Sequence, residues 1–238
     1  MSSVRQSYQL PILWDEFSGH GKLIASIFFR LTFLAIGIIT MYSKQACFCG
    51  STLLFTQCCQ PLITQYKHAQ TAEQLMRSRF SAYAAKTYQY IFDTYAKKSQ
   101  NSLSLEDIQN SAEGSHWFAL LIYKNEKVDK NEENEIVSTE ESIQFVEFSA
   151  FYIADDNVYE MREKSRFVLE VSDRQTNSNN KQWRYVDGDI IKHSQISSQL
   201  DNQLTKITRN QLCPCNHYPS AWTEKKAKKY KQCCQKSL

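Results

Sequence analysis

The sequence has 238 residues, of which 42% are hydrophobic and 22% are charged. A chain of this length and composition can form one substantial core with small modules attached, and it does not belong to the disordered class. Its 28 lysine and arginine residues are nearly balanced by 25 aspartate and glutamate residues, for a net charge of +3. This balance excludes a generally basic protein that coats nucleic acid.

The first distinctive segment is an apolar run at residues 23–40, LIASIFFRLTFLAIGIIT. It is long enough to span a membrane, but Arg30 near its middle costs about 3 kcal/mol on insertion scales, so insertion is only marginally favourable. We favour the interpretation that residues 1–40 are an upstream extension that is not native, and a membrane anchor is the alternative. A cleaved signal peptide is disfavoured, because no small-x-small cleavage site follows the run.

Two sets of cysteines share one order, a C-x-C pair and then an adjacent C-C pair. The first set is Cys47, Cys49, Cys58 and Cys59, and the second is Cys213, Cys215, Cys233 and Cys234. Together they use all eight cysteines of the chain. The repeat indicates two modules of the same kind at the two ends of a larger domain.

Metal ligation explains this spacing better than disulfide bonds do. A bridge between adjacent cysteines closes a strained ring, and C-x-C is too short for a relaxed bridge. Two thiolates from a C-x-C turn and two from the end of a short helix can instead converge on one tetrahedral ion. We therefore predict two zinc ions, one per set, and a reducing compartment. Disulfide bonds and unmetallated thiols stay open as alternatives.

The region after the first set has helical spacing. Thr71 and Gln74 are placed as in a capping box, and apolar side chains follow from Leu75 at intervals of three and four. These patterns predict one long or kinked helix over residues 71–98 and a second helix that begins at Ser104.

Farther along the chain the apolar period becomes two. Alternating residues that fall on one strand face are Val146, Phe148, Ala150 and Tyr152 in one run, and Ser165, Phe167, Leu169 and Val171 in another. Polar loops at residues 125–135 and 172–181 separate these runs, which favours an antiparallel sheet packed against the helices. Helices first and strands afterwards predict an α+β fold.

The segment 192–210 is rich in serine, glutamine and asparagine, which is typical of a partly flexible linker, with a helical turn near residues 200–207. The second cysteine set lies beyond it. We therefore expect metal loss there to unfold the tail and largely to spare the middle of the chain. His217 lies inside this set and is an alternative ligand, although four thiolates already complete a tetrahedral site.

Six lysines crowd the second set: Lys225, Lys226, Lys228, Lys229, Lys231 and Lys236. Four thiolates on one Zn²⁺ carry a net charge of about −2, so nearby cations would stabilise the cluster. A solvated helix face is the simpler interpretation of such a run, and a contact with phosphate or an acidic partner is another.

The two cysteine sets resemble the SEC-C motif, the zinc-binding module named after the C-terminus of the SecA translocation motor. The stretch CFCGSTLLFTQCC matches the usual form C-x-C-x8-C-C, whereas the second copy has 17 residues between Cys215 and Cys233. Doubling a flexible loop costs only about 0.6 kcal/mol, so we expect the second site to form as well.

The region between the sets extends the resemblance. Five segments occur in the order seen in the YchJ family: TAEQLMRSRFSAY, HWFALLIY, VEFSAFY, REKSRF and WRYVDG. The resemblance implies a cone-like nuclear transport factor 2-type domain, with helices against a curved antiparallel sheet, flanked by two small zinc-binding SEC-C modules. The implied divisions are an extension at 1–40, a first module at 41–62, a middle domain at 63–191, a linker at 192–210 and a second module at 211–238. One departure is Arg162, where the family commonly has histidine.

A curved sheet closed by helices leaves a concave space in which ligands commonly bind. Candidates for its lining are Arg79, Trp117, Glu147, Glu163, Ser165, Trp183 and Tyr185. In the alternative interpretation, the aromatic residues belong to the core and Arg79 forms a partly buried ion pair with Glu163. Acid–base chemistry would need Glu147 or Glu163 within hydrogen-bond reach of a substrate, so the sequence assigns no enzymatic activity.

Three functions are compatible with these features. The first is a cytoplasmic zinc-binding adaptor with a protein partner, because the SecA module is associated with translocation, a chaperone and the ribosome. The second is an enzyme or small-ligand-binding protein that uses the middle cavity, and an open, polar cavity would favour it. The third is nucleic-acid binding through the C-terminal lysines and Tyr230. An inner-membrane location with the domains facing the cytoplasm follows only if residues 23–40 are an anchor.

Overall fold

The computed structural model describes residues 44–127, 142–171, 181–196, 206–222 and 227–237. The apolar run at residues 23–40 lies outside these ranges, and so does most of the helical turn predicted near residues 200–207. The described residues belong to one compact unit, Ser43–Leu238. None of the helices within the described ranges is long and apolar enough to cross a membrane.

The structure describes five α-helices, all of which precede the sheet. They span Gln60–Ile63 (α1), Ala72–Ala84 (α2), Tyr88–Asp93 (α3), Lys97–Gln100 (α4) and Leu105–Ala112 (α5). The predicted start at Thr71 is confirmed, because its hydroxyl accepts a hydrogen bond from Gln74 N–H at 3.1 Å. The predicted start at Ser104 is also confirmed, since Ser104 and Asp107 form a reciprocal capping box.

The prediction of one long or kinked helix over residues 71–98 is wrong, because the chain leaves helical geometry twice. Lys86 has a φ of 56°, a left-handed conformation that cannot continue the helix after α2. After α3, Tyr185 N–H donates to Thr94 C=O at 2.9 Å, and Ala96 N–H donates to Tyr185 C=O at 2.7 Å. This pairing with a distant strand separates α3 from α4, and helical spacing in the sequence cannot reveal it.

Four antiparallel strands follow the helices and pair in chain order. They span His116–Lys127 (β1), Ile143–Ala154 (β2), Asn157–Val171 (β3) and Lys181–Gln195 (β4). Asp155 and Asp156 connect β2 to β3 with φ values of 49° and 60°, the positive values that a type I′ hairpin turn requires at both central positions. Register shifts in the β1–β2 and β3–β4 pairs bend and twist the sheet. The fold is α+β, as predicted.

The inner face of the sheet packs against the helices. Val146, Phe148 and Ala150 are buried on this face, as their alternation predicts, and Phe148 and Ala150 lie beside Phe80 of α2. Of the β3 side chains that were predicted to share one face, Phe167 is buried. Val171, at the end of the strand, is 46% exposed. This face and α2 enclose the concave space that the family resemblance implies.

The outer face of the sheet is covered by the C-terminal module. Phe151 and Ile153 of β2 belong to one buried cluster with Cys213, Cys215 and Tyr230. The second cysteine set is therefore part of a hydrophobic core. This shared burial against the middle domain argues against the expectation that the set forms a separable tail.

Strand β4 is longer than the sequence indicates. Lys192 pairs with Arg162, and Gln195 pairs with Tyr159. The first four residues of the predicted linker at 192–210 are thus in the sheet. This end of β4 is polar or exposed on both faces, so its composition resembles that of a linker.

Candidate functional sites: two thiol clusters and an inner cavity

The first cysteine set is positioned by a short hairpin-like turn. An isolated β-bridge joins Ala46 to Leu54, and Cys47 N–H donates to Leu53 C=O at 2.9 Å. A 3-10 turn at Phe55–Gln57 then carries the chain to the adjacent cysteine pair, directly before α1. The sequence C-x-C-x8-C-C thus folds back on itself, which brings its four thiols together.

The distances between these thiols fit one tetrahedral ion. The Cys49 sulfur lies 3.4 Å from that of Cys47 and 3.8 Å from that of Cys58, and the sulfurs of Cys58 and Cys59 are 3.8 Å apart. All four lie within 4.8 Å of one another. Metal–sulfur bonds of about 2.3 Å in a tetrahedron place the sulfurs about 3.8 Å apart, so the set can hold a metal ion.

The second cysteine set repeats the plan of the first. An isolated bridge joins Leu212 to Lys229, and a 3-10 turn at Tyr230–Gln232 precedes the adjacent pair. Sulfur distances are 3.5 Å between Cys215 and Cys233 and 4.0 Å between Cys233 and Cys234, and all four sulfurs again lie within 4.8 Å. The longer loop therefore does not prevent the cluster from forming.

Both sets consist of thiols alone. None of the eight cysteines, all of which are described, is in a disulfide bond. His217 is exposed and is not grouped with either set among the described residues. Hydrogen bonds from neighbouring thiols lower the pKa of Cys49 and of Cys213, which favours thiolates at these positions. Four protein ligands leave no open position, which is typical of structural rather than catalytic metal sites.

The long loop of the second module contacts the first module, a feature that the sequence analysis missed. The indole N–H of Trp222 donates to Trp117 C=O at 2.9 Å, and its ring lies edge-on to Phe48 at a centroid distance of 4.6 Å. A Cβ added at Gly50 would lie 2.2 Å from the Ser220 carbonyl oxygen, so the two modules touch closely there. The sequence feature that could have indicated this contact is Trp222, an aromatic residue in the extra length of loop that the first module lacks.

An inner cavity of about 290 Å³ lies between α2 and the inner face of the sheet. Five of the seven predicted lining residues line it: Arg79, Trp117, Glu163, Ser165 and Tyr185. Its wall also includes residues that the sequence analysis did not name, among them Tyr83, Tyr95, Tyr152 and His193. The structure therefore brings most of the predicted residues together around one open space.

Arg79 is buried in the cavity wall with only 4% of its surface exposed. Its Nη1 donates to Ile91 C=O at 2.9 Å and to the Thr94 hydroxyl at 2.8 Å. The guanidinium lies over the rings of Tyr95 and Tyr185 at 4.5 Å and 4.3 Å from their centroids. Backbone, hydroxyl and aromatic contacts thus hold this cation in place.

Glu163 is also buried in the wall, with 7% exposed. Its Oε1 accepts hydrogen bonds from the Ser165 hydroxyl and, at 3.0 Å, from the Tyr185 hydroxyl. Burial raises the pKa of Tyr185, and the charge of Glu163 raises it further, so the phenol stays protonated and donates. A Cβ added at Gly188 would lie 2.0 Å from Oε1, so only glycine leaves room for this carboxylate.

The predicted ion pair between Arg79 and Glu163 is not present. Within the described part of the chain, neither residue forms an ion pair, and Tyr185 links them instead. The ring of Tyr185 contacts Arg79 while its hydroxyl contacts Glu163. The two charges are therefore held separately on the same cavity wall.

Two predicted lining residues lie elsewhere. Glu147 is on the outer face, where its Oε1 accepts from Nε and Nη2 of Arg162, and that guanidinium lies over the Tyr123 ring at 4.3 Å. The prediction is wrong there because side chains alternate along a strand, and Glu147 follows the inward-facing Val146. Trp183 lines a separate groove of about 250 Å³, and its indole N–H donates to Gln70 C=O at 3.2 Å.

Known proteins resemble the middle domain and most of the chain. A family model for the middle, nuclear transport factor 2-like domain of YchJ matches residues 71–188. A UPF0225 protein of Vibrio cholerae serotype O1 is 32% identical over 193 residues, which are 79% of this chain and 99% of that protein. The chain belongs to the YchJ family. A second UPF0225 protein, from Photorhabdus laumondii, is 31% identical over 192 residues, which are 80% of this chain and 98% of that protein.

Two solved structures are similar to this YchJ protein, and both are described as SEC-C motif containing proteins. The one from Psychrobacter arcticus is 24% identical with a TM-score of 0.49, and the match covers 83% of this chain and 99% of that one. The one from Rhodopseudomonas palustris is 24% identical with a TM-score of 0.48, and the match covers 62% of this chain and 99% of that one.

The structure also places Arg162, which stands at a position where histidine is implied, and Tyr230, which was predicted to contact nucleic acid. Arg162 stands where the resemblance implies histidine, and its side chain is on the outer face, away from the cavity. Tyr230 is fully buried and donates to Asp156 at 3.0 Å. The prediction that Tyr230 helps to bind nucleic acid is therefore wrong, because its ring cannot stack on a base.

Proposed function

We propose that this YchJ protein binds a small molecule in its inner cavity and that its two thiol clusters bind structural zinc ions. The observation that carries the proposal is the presence of two buried charged side chains, Arg79 and Glu163, on the wall of one open cavity. Removing a charge from water costs several kcal/mol, and apolar residues in the same places would commonly be as stable or more so. Buried charged side chains that line a cavity despite this cost are typical of binding sites.

The zinc part of the proposal follows from the chemistry of the ligands. Four thiolates at tetrahedral distances are typical of structural zinc sites, and the closed set leaves no place for a substrate. The first cysteine set would hold one ion next to α1. The second set would hold the other ion against the outer face of the sheet. Thiolate ligands persist in a reducing compartment, so we propose the cytoplasm as the location.

A cavity-filling variant tests ligand binding in the middle domain. Ala150 is 1% exposed and lines the cavity, so Ala150→Leu would occupy part of its volume. We expect compounds of roughly 6 to 12 heavy atoms, the size suited to a small cavity, to shift cavity signals in NMR spectra of the wild type. The same compounds should fail to bind Ala150→Leu while its zinc content is unchanged. Equal binding to both proteins would contradict the proposal.

Protein binding is a second candidate, and two exposed apolar side chains favour it. Leu53 in the first module is 51% exposed, and Tyr66 just after α1 is 83% exposed. Single exposed apolar residues are common, so the proposal depends on whether they act together. Co-sedimentation with purified ribosomes tests the partner that the SecA module suggests. Binding that is lost in Leu53→Ser with Tyr66→Ser supports the adaptor function, and no binding by the wild type contradicts it.

A further inference from the structure

The charges of the cavity wall restrict what the cavity can bind, and this step rests on the proposed function. Arg79 already donates to two protein oxygens and lies over two tyrosine rings. Oxygen acceptors and aromatic rings of the protein thus stabilise its positive charge. The negative charge of Glu163 faces the same cavity, so an anionic ligand would meet a carboxylate there.

Among the described lining residues, the hydrogen-bonding groups that have no protein partner include Glu163 Oε2, an acceptor, and the buried indole N–H of Trp117, a donor. Glu163 Oε1 accepts two hydrogen bonds, from Ser165 and Tyr185, whereas no described residue donates to Oε2. A carboxylate oxygen can accept two hydrogen bonds and cannot donate when ionised. A ligand that completes this site must therefore donate a hydrogen bond.

The remaining walls are largely aromatic. Trp117 and Tyr152 lie at a centroid distance of 4.6 Å with an angle of 37° between their rings, and Tyr83 lies 5.7 Å from Trp117. His193 Nε2 bonds to the Tyr152 hydroxyl at 2.7 Å and fixes that ring at the more exposed side of the cavity. An aromatic lining of this kind favours a planar ring that packs against it.

We infer that the cavity binds a planar nitrogen-containing ring or amidine, neutral or cationic, that donates an N–H hydrogen bond to Glu163 Oε2. The ring packs against the aromatic lining, which includes Trp117 and Tyr152. A cavity of about 290 Å³ accommodates one such group and excludes larger ligands unless they extend past His193. A donor on the ligand replaces the water that this oxygen would otherwise need.

Three compounds of one shape test this ligand class: benzamidine, benzamide and benzoate. Each is titrated to about 10 mM into the zinc-loaded full chain, because ligands of this size have millimolar affinity at ordinary ligand efficiencies. NMR signals of the Trp117 indole and the Gly188 amide report binding in the cavity. We expect benzamidine to bind at least tenfold more tightly than benzoate, with benzamide between them.

Variants separate the role of Glu163 from general effects on folding. Glu163→Gln keeps the shape but loses the charge, and should weaken benzamidine binding at least tenfold. Glu147→Gln makes the same change on the outer face, where Glu147 pairs with Arg162, and should leave binding unchanged. If Glu163→Gln does not fold, Tyr152→Leu is the second variant. The Tyr152→Leu change removes an aromatic ring from the cavity lining, so it should weaken the binding of both benzamidine and benzamide.

The outcomes distinguish this inference from the proposed function. Benzoate binding in the cavity as tightly as benzamidine would overturn the ligand class while the cavity remains a binding site. Benzamidine binding that is equal in wild type and Glu163→Gln would also overturn it. If no compound shifts the Trp117 and Gly188 signals, both the inference and the cavity function are contradicted.

Discussion

Trp222 lies edge-on to Phe48, with their ring centroids 4.6 Å apart and an interplanar angle of 69°. Phe48 is the residue between the first two cysteines of the N-terminal module, and Trp222 belongs to the long loop of the C-terminal module. The same indole contacts His116 at a centroid distance of 5.6 Å. One side chain therefore connects both metal modules to the first strand of the sheet.

Trp222→Ala should destabilise the whole protein and not only the C-terminal module. The variant loses aromatic contacts with Phe48 and His116 and the hydrogen bond to Trp117. We expect a loss of at least about 2 kcal/mol in the free energy of unfolding, measured by urea titration. Tyr66→Ala is the control, because an 83% exposed side chain should contribute less than about 0.5 kcal/mol. Equal effects of the two changes would show that Trp222 does not join the modules.

Gly50→Ala tests the close approach of the modules, and the chain offers a matched control. Gly50 and Gly114 have φ values of 75° and 70°, so alanine is strained at both. A Cβ at Gly50 would lie 2.2 Å from the Ser220 carbonyl oxygen, whereas a Cβ at Gly114 would meet nothing within 4 Å. Gly114→Ala should cost about 1 kcal/mol, and Gly50→Ala should cost about 1–3 kcal/mol more. Thermal melts that coincide would contradict the contact with Ser220.

The sequence predicted those features of this fold that depend on local chemistry. The Thr71 and Ser104 caps follow from side chains three residues apart, and both thiol clusters follow from a short cysteine pattern within one segment of the chain. The alternation of Val146, Phe148 and Ala150 likewise identified the inner face of β2. The same alternation places Glu147 on the opposite face, which the prediction of Glu147 as a lining residue overlooked.

Features that depend on distant contacts could not be predicted in this way. The break between α3 and α4 is set by backbone pairing of Thr94 and Ala96 with Tyr185, far along the chain. The separation of Arg79 from Glu163 depends on the ring of Tyr185, which stands between them. The spacing of residues in the sequence predicts neither the backbone pairing nor the position of the Tyr185 ring.

Gly188→Ala should disturb the cavity through Glu163. The added Cβ would lie 2.0 Å from Glu163 Oε1, so the carboxylate would have to leave Ser165 and Tyr185. We expect weaker benzamidine binding, by at least tenfold, with two zinc ions still bound. NMR titration together with metal analysis checks both parts. Unchanged benzamidine affinity in this variant would show that the position of the carboxylate does not matter for binding.

Loss of either metal should destabilise the sheet. Cys213 and Cys215 are buried in one cluster with Phe151 and Ile153 of β2, so Cys213→Ser with Cys215→Ser should raise amide hydrogen exchange in β2. Cys47→Ser with Cys49→Ser should do so as well, because this set lies against α2, where Ser81 approaches Cys47 at 3.9 Å. Normal protection of β2 in the C-terminal variant would restore the simpler interpretation of a separable tail.

The zinc content of the purified chain tests the central claim that each of the two closed thiol clusters binds one zinc ion. The measurement is elemental analysis of the full chain, prepared under reducing conditions without chelators. We predict two zinc ions per chain in the wild type and one in each variant in which a C-x-C pair is replaced by serine. Zero or one zinc ion in the wild type, or the loss of both ions from either variant, would contradict the account of two independent sites.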